Sequence, residues 1–284
     1  MTASIVVGLD GTEQAHTAAE WAADEAVLRG TRVHLVHVQE SSPELLLPLV
    51  SREPSESWAE EMLTRTAAAL RERRPGLAVT TRLLPSQPVP SLIAAAEDAE
   101  LLVLGSRAMS GMAGYLVGSV GMTVTGRTER PAVLVRSLRP PHPEGPVTVG
   151  IDVREPAEEV LGFAFAEAAR RRTGLDVVHA RHFPLHARLG AAVVPDHRLT
   201  VPPEVQRSLD ELLAPWHEEF PDVAATGRVA IGSAGQELVQ AAERAVLLVV
   251  GRRSRRSTLG SHIGSVAHAV LHHSRAPVAL VPHD

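Results

Sequence analysis

A chain of 284 residues that is 44% hydrophobic can bury two cores of ordinary domain size, and its net charge of −5 does not favour a nucleic-acid partner. It has no cysteine, and all 28 of its Lys and Arg residues are arginine, which excludes disulfides, thiolate metal sites, a P-loop lysine and Schiff-base chemistry. No apolar run is long enough to span a membrane and no signal-like segment opens the chain, so we expect a cytoplasmic protein without a membrane partner.

Segments typical of strands and helices alternate along the first half. Apolar runs of strand length are separated by stretches with helical spacing, such as the alanines that recur from Ala15 to Ala26 before a stop at Gly30. The predicted strands are 4–10, 33–38, 77–84, 101–105 and 132–135, and the predicted helices are 13–29, 57–74, 89–98 and 118–129. Apolar strands that alternate with helices indicate the α/β class, with a parallel sheet covered on both faces.

The second half repeats this order. Its predicted strands are 147–152, 175–180, 224–231, 246–250 and 277–281, and its helices are 156–172, 203–219, 235–243 and one that begins at 264. We expect Gly174 to stop the first of these helices. The Pro- and Gly-rich stretch 139–146 predicts a linker between domains at 1–138 and 147–284, and the irregular segment 181–203 predicts a surface loop or a lid.

Both halves carry the same glycine-bearing segment. At an offset of 146 residues, the matched residues are Gly105, Gly118, Ser119 and Val120 in the first half and Gly251, Gly264, Ser265 and Val266 in the second. The opening strands IVVGLD and VTVGID match at an offset of 142, which places Gly8 on Gly150 and Asp10 on Asp152. Two equivalent loops, each following a buried strand, indicate two copies of one ligand-binding domain.

The loop after the fourth strand has the features of a phosphate site. In parallel α/β sheets, ligands bind at the carboxyl ends of strands where the strand order reverses. Gly105 ends such a strand, and Gly118 and Ser119 open the following helix. A helix start offers unpaired N–H groups and a positive dipole, glycine permits close approach, and serine adds a hydroxyl donor. The alternative is a simple helix cap; the duplication favours the phosphate.

Asp10 and Asp152 follow the first strands of the two halves on the same predicted sheet edge. A carboxylate at that place can accept hydrogen bonds from a ribose or an adenine amino group, or help to hold a metal. The alternative is an N-cap of the helix that follows.

These residues together resemble the universal stress proteins. The spacing Gly, two residues, Gly, nine residues, Gly-Ser is similar to the ATP-binding signature of that family, and VVGLDGT, LVHV, LLVLGSR and PAVLV resemble its strands. The resemblance spans nearly the whole chain, twice. It implies two tandem Rossmann-like domains, each a five-stranded parallel sheet of order 3-2-1-4-5 with helices on both faces, and ATP, with or without Mg²⁺, as the ligand.

The resemblance also implies which residues contact the nucleotide. Asp10 and Val38 fall on the adenosine side, and Gly105, Gly118, Ser119 and Val120 on the phosphates and ribose. Their counterparts in the second half are Asp152, Ala180, Gly251, Gly264, Ser265 and Val266. The candidate set further includes Gly8, Arg107, Ala108 and Ser254.

The chain departs from the family pattern in its loops. Ala108 and Ser254 replace the second glycine of the signature, and a Cβ is costly there if the position needs a positive φ. The second loop also carries the arginines Arg252, Arg253, Arg255 and Arg256. They can clamp a polyphosphate bidentately, form a solvated surface loop, or form a nucleic-acid patch.

The histidines do not indicate a metal site. His268 and His272 share a helix face, and His182 and His186 have the same spacing in an irregular loop, but neither pair has a third ligand within its motif. His37 and His179 occupy equivalent places in the second strands, for which we expect a structural role.

We find no catalytic motif, so the resemblance implies non-catalytic adenine-nucleotide binding by a stress-response protein. The alternatives are a nucleotide-independent dimerisation and interaction module, and a slow ATPase. An apolar edge strand invites pairing. We therefore expect PAVLV and PVALV to meet as an intrachain pseudo-dimer, and two chains to be able to form a homodimer.

Overall fold

The computed structural model describes residues 4–39, 56–85, 87–108, 115–116, 118–136, 143–155, 157–181, 201–253 and 263–284. The chain divides into two compact units, residues 1–138 and 139–284. Much of the predicted linker lies outside the described residues, so its boundaries stay a prediction. The pairing of the last strands of the two units and the association of two chains also stay predictions. Within the described ranges, no helix combines the length and apolar character needed to cross a membrane.

The first unit is built on a five-stranded parallel sheet. In chain order its strands are β1 (Ser4–Gly8), β2 (Arg32–Gln39), β3 (Val79–Pro85), β4 (Leu101–Gly105), β5 (Arg107–Ala108), β6 (Tyr115–Leu116) and β7 (Ala132–Val135). All but β5 and β6 pair in parallel, in the order β3-β2-β1-β4-β7. The sheet order therefore reverses between β1 and β4, which leaves a crevice at their carboxyl ends.

Four helices cover this sheet. They are α1 (Glu13–Arg29), α2 (Glu56–Arg73), α3 (Pro88–Ala96) and α4 (Ser119–Arg127). Helices α1 and α2 pack together on one face, and α3 and α4 pack together on the other. Ile5 and Val7 in β1 and Leu101 in β4 are fully buried, because a central strand of such a sheet has helices above and below it.

The second unit repeats the architecture. Its strands are β8 (Val147–Ile151), β9 (Leu175–Arg181), β10 (Ala225–Ile231), β11 (Leu247–Arg253) and β12 (Val278–His283), in the parallel order β10-β9-β8-β11-β12. Its helices are α5 (Glu158–Arg171), α6 (Pro203–Glu219), α7 (Ala234–Ala242) and α8 (Ser265–His273). Trp216 of α6 stacks on the buried Phe165 of α5, with ring centroids 5.5 Å apart. The predicted order 3-2-1-4-5 is thus confirmed in both units.

The predicted ends of the main elements agree with the structure within two residues, with one exception. Strand β11 runs three residues beyond the predicted end, to Arg253. It does so because β12 continues beside it, with Arg252 opposite Pro282 and Arg253 opposite His283. The short hairpin of β5 and β6 was not predicted either.

Helix α5 ends differently from the prediction. Arg172, not Gly174, is its C-cap, and Arg172 adopts the left-handed conformation with φ 51°. The equivalent C-cap of α1 is Gly30, with φ 64°. The same backbone geometry therefore ends both helices, and only the first unit has the residue type that adopts it without a steric cost.

Replacing Arg172 with glycine should stabilise the second unit by about 0.5–1 kcal/mol, because glycine removes the Cβ contact that disfavours left-handed backbone. Urea unfolding followed by circular dichroism measures the change. Gly30→Ala is the matched control and should destabilise the first unit by a similar amount. A lower unfolding midpoint for Arg172→Gly would contradict the left-handed C-cap.

Candidate functional site

The first unit has a cleft of about 440 Å³ at the carboxyl ends of β1, β2 and β4. It lies where the sheet order reverses, as the sequence predicted. The predicted site residues that line it are Gly8, Asp10, Val38, Gly105, Gly118, Ser119 and Val120. Pro88, Leu92 and Leu104 add an apolar wall.

Gly105 is required by the packing of α1 against the end of β4. A Cβ at this position would lie 2.6 Å from the carbonyl carbon and oxygen of Gln14 and 2.7 Å from the amide nitrogen of Ala15. Because these are backbone atoms of the first turn of α1, a side chain here would push the helix off the strand. Gly8 is similarly confined, with Leu104 2.6 Å from its would-be Cβ.

Gly118 is different, because no atom of the described residues lies within 4 Å of the position that its Cβ would occupy. It is the N-cap of α4, with φ −57° and ψ 154°, and no side chain caps this helix. The first intrahelical bond runs from the Met122 amide to the Gly118 carbonyl at 3.0 Å. The amides of Ser119, Val120 and Gly121 therefore have no partner within the helix, and all three residues line the cleft.

Asp10 shapes the loop at the other side of the cleft. Its Oδ1 accepts hydrogen bonds from the Thr12 amide at 3.0 Å and from the Thr12 hydroxyl at 2.5 Å. The Thr12 hydroxyl oxygen in turn accepts from the Ala15 amide at 3.2 Å and caps α1. Thr12, not Asp10, is therefore the N-cap, and the exposed Asp10 carboxylate holds the capping residue in place.

The equivalent histidines fasten the same loop in both units. The Nδ1 of His37 donates to the Leu9 carbonyl at 2.7 Å, and the Nδ1 of His179 lies 3.2 Å from the Ile151 carbonyl. Each bond joins the second strand to the residue that precedes the candidate aspartate. These contacts support a structural role for His37 and His179, which also line the two clefts.

The first residues after β4 have the backbone of a strand. Ala108 pairs with Tyr115, and Arg107 with Leu116, in an antiparallel hairpin. Strand backbone has negative φ, so the positive φ considered from the sequence is not found at Ala108. For Arg107 and Ala108 the structure describes the backbone alone, and the rest of the loop, 109–114, lies outside the described residues.

The second unit has an equivalent cleft of about 650 Å³. The predicted residues that line it are Asp152, Ala180, Gly251, Gly264, Ser265 and Val266. Ser254 lies outside the described residues. Gly264 caps α8 as Gly118 caps α4, and in the part of the chain that the structure describes no atom lies within 4 Å of its would-be Cβ. The Oδ1 of Asp152 accepts from the Arg154 amide at 3.0 Å.

Arg252 and Arg253 are strand residues, which corrects their assignment to the loop. Arg252 is 6% exposed, so it does not belong to a solvated surface loop, and both arginines line the cleft. Arg253 forms an ion pair with Glu155. Arg255 and Arg256 lie outside the described residues.

Several lining residues were not among the candidates. Gly150 is one, and its match to Gly8 in the repeat was the signal that identifies it. His283 is another; its imidazole comes within 2.8 Å of the would-be Cβ of Gly251. No sequence pattern points to His283, because only the pairing of β12 with β11 brings it to the cleft.

The histidine pair of α8 has no third ligand among the described residues. The rings of His268 and His272 lie 4.3 Å apart. Partial burial, followed by the neighbouring His272 and His273, lowers the pKa of His268 below its ordinary value. His182 and His186 lie outside the described residues.

Comparison with known proteins gives the family. The sequence model of the Universal stress protein family matches residues 1–136 and 145–282. This chain belongs to the universal stress protein family. The two matches correspond to the two units, each of which holds one of the clefts described above.

Two relatives match nearly the whole chain over nearly all of their own length. The chain is 33% identical to universal stress protein Rv2005c of Mycobacterium tuberculosis over 285 residues, which cover 96% of this chain and 95% of that one. It is 31% identical to universal stress protein Rv2623 of the same organism, over 96% of this chain and 94% of that one. A universal stress protein structure from Archaeoglobus fulgidus shares the fold, with a TM-score of 0.72 at 16% identity over 99% and 98% of the two chains.

Gly105→Ala should destabilise the first unit by about 2–3 kcal/mol, because its methyl group overlaps the backbone of α1. Gly118→Ala is the matched control, since its methyl group enters open space, and it should cost no more than about 1 kcal/mol. Urea unfolding of both variants measures the difference. Equal losses would show that the two glycines serve the same purpose, contrary to the structure.

Proposed function

We propose that both clefts bind adenine nucleotide, ATP first of all, without catalysis, and that binding regulates a cytoplasmic stress-response protein. The observation that carries this proposal is the open N-terminus of α4, and of α8, facing a crevice at the point where the sheet order reverses. Crevices of this kind bind ligands in parallel α/β folds. Both cleft volumes lie within the roughly 300–1,000 Å³ range of small-molecule sites.

In this proposal the adenosine lies on the side of β2. Val38, Pro88 and Leu92 offer apolar surface to an adenine ring. Asp10 lies at the same side of the cleft and can accept hydrogen bonds from ribose hydroxyls, because its loop already holds it at the end of β1. In the second unit, Ala180 and Asp152 occupy these places.

In the same proposal the phosphates lie at the N-terminus of α4. Three backbone amides without an intrahelical partner and the Ser119 hydroxyl converge there, and the helix dipole favours negative charge. This arrangement supplies donors without any lysine, which the chain lacks. Gly118 leaves the approach open, which explains glycine at a position that the protein's own packing does not restrict.

Magnesium fits as a companion of the nucleotide. The described residues contain no group of three potential metal-ligating side chains, whereas Mg²⁺ is often held by one or two carboxylates together with substrate phosphates and water. Asp10 lines the first cleft, and Asp152 and Glu155 line the second, so each cleft offers a carboxylate for that purpose.

The test of the function is the ligand released from gently purified protein. Mass analysis should identify adenine nucleotide, and titration of ligand-free protein should approach two nucleotides per chain. A value near one would assign binding to a single unit. No binding would favour the nucleotide-independent interaction module, and phosphate release above background that Ser119→Ala abolishes would favour the ATPase.

Ser119→Ala should weaken ATP binding by the first cleft about tenfold, because it removes one hydrogen bond to a charged oxygen. The measurement is calorimetric titration in a Gly264→Val background, in which a side chain blocks the second cleft. Ser208→Ala, an exposed serine on α6, is the control and should leave the affinity unchanged. Equal affinities for the Ser119 variant and the background would remove Ser119 from the site.

A further inference from the structure

The two clefts differ in charge although their backbones are equivalent. Among the described residues that line the first cleft, Asp10 and His37 are the ionisable ones. The lining of the second cleft includes the arginines Arg252 and Arg253 and the histidine His283. Arg253 matches Arg107 in the repeat, so the side chains that differ are Arg252 and His283, which match Ser106 and Ser137.

The main difference is the place of one arginine. In the first unit, Ser106 follows β4, and its hydroxyl accepts from the Nε of Arg136 at 3.2 Å; neither residue lines the cleft. In the second unit, Arg252 stands at the position of Ser106 and Pro282 at that of Arg136, opposite each other in β11 and β12. The first unit thus carries this arginine on the segment that follows its last strand, whereas the second unit carries it on the strand that borders the cleft.

From this exchange we infer that Arg252 makes the second cleft selective for polyphosphorylated adenine nucleotides, whereas the first cleft discriminates less between ATP and AMP. The inference rests on the proposed function of the clefts. A guanidinium attracts a triphosphate more strongly than a monophosphate because the attraction grows with the ligand's charge. It is also strong where the cation is largely removed from water, as the 6% exposed Arg252 is.

Arg253 is the second arginine of this cleft, and its guanidinium is already paired with a carboxylate. It is held by Glu155, and both side chains line the cleft with more than half of their surface exposed. An exposed pair of this kind is weak, so a phosphate competes with the carboxylate for the guanidinium. Glu155 therefore lowers the affinity for nucleotide, and its removal should raise it.

The experiment compares two full-length variants that each keep one cleft. Gly118→Val blocks the first cleft and Gly264→Val the second, at positions where a Cβ meets no atom of the described ranges. The Kd of ATP and of AMP is measured for each by calorimetry, at low and high salt. The preference for ATP over AMP should be about tenfold greater in the second cleft, the size of one charge-assisted hydrogen bond, and should fall more steeply with salt.

Variants in the Gly118→Val background identify the residue. Arg252→Ser should remove most of the ATP preference while AMP affinity changes less, and Arg252→Lys should restore part of it. Glu155→Gln, on an exposed side chain, should tighten ATP binding about threefold or more. Arg207→Ala is the control. It removes a positive charge from α6 and should change neither the ATP-to-AMP preference nor the ATP affinity.

The outcomes separate this inference from the function on which it rests. Equal ATP-to-AMP preferences in the two clefts would overturn the inference and leave nucleotide binding standing. So would an unchanged preference in a folded Arg252→Ser variant. If Arg252→Ser does not fold, two measurements still test the inference. They are the ATP-to-AMP preferences of the two single-cleft proteins and the change in ATP affinity caused by Glu155→Gln. No binding by either cleft would overturn the proposed function as well.

Discussion

The site in the first unit depends on one close contact, between the end of β4 and the first turn of α1. Gly105 has no side chain, so the backbone of Gln14 and Ala15 lies where a Cβ would be. This contact fixes α1 against the strand and places the loop of Asp10 beside the strand end. His37 and Thr12 then hold that loop by hydrogen bonds. The cleft is consequently bounded by packed strands and helices on each described side.

The second unit meets the same constraint with other neighbours. At Gly251, the atoms that exclude a Cβ belong to His283 and Val160 rather than to helix backbone. A side-chain neighbour can change more readily than a main-chain one. This difference allows the second cleft to vary in composition, and the placement of Arg252 and His283 at its edge reflects that freedom.

The sequence predicted the elements well, and their details less well. Apolar runs and glycine positions located the strands and helices, and the internal repeat located both clefts, while the strand order came from the family resemblance. The left-handed Arg172, the extension of β11 to Arg253 and the pairing of Ala108 with Tyr115 were not predicted. Each depends on partners distant in sequence or on a conformation that the residue type disfavours, so local pattern carries no signal for it.

The presence of both units in one polypeptide has an evolutionary consequence. A single-domain protein that self-associates must carry identical clefts, because one gene segment encodes every copy. Here each unit has its own codons, so Ser106 and Arg252 could diverge at equivalent positions without altering the other cleft. Covalent linkage also guarantees that the two unlike clefts are made in a fixed one-to-one ratio, whatever the level of expression.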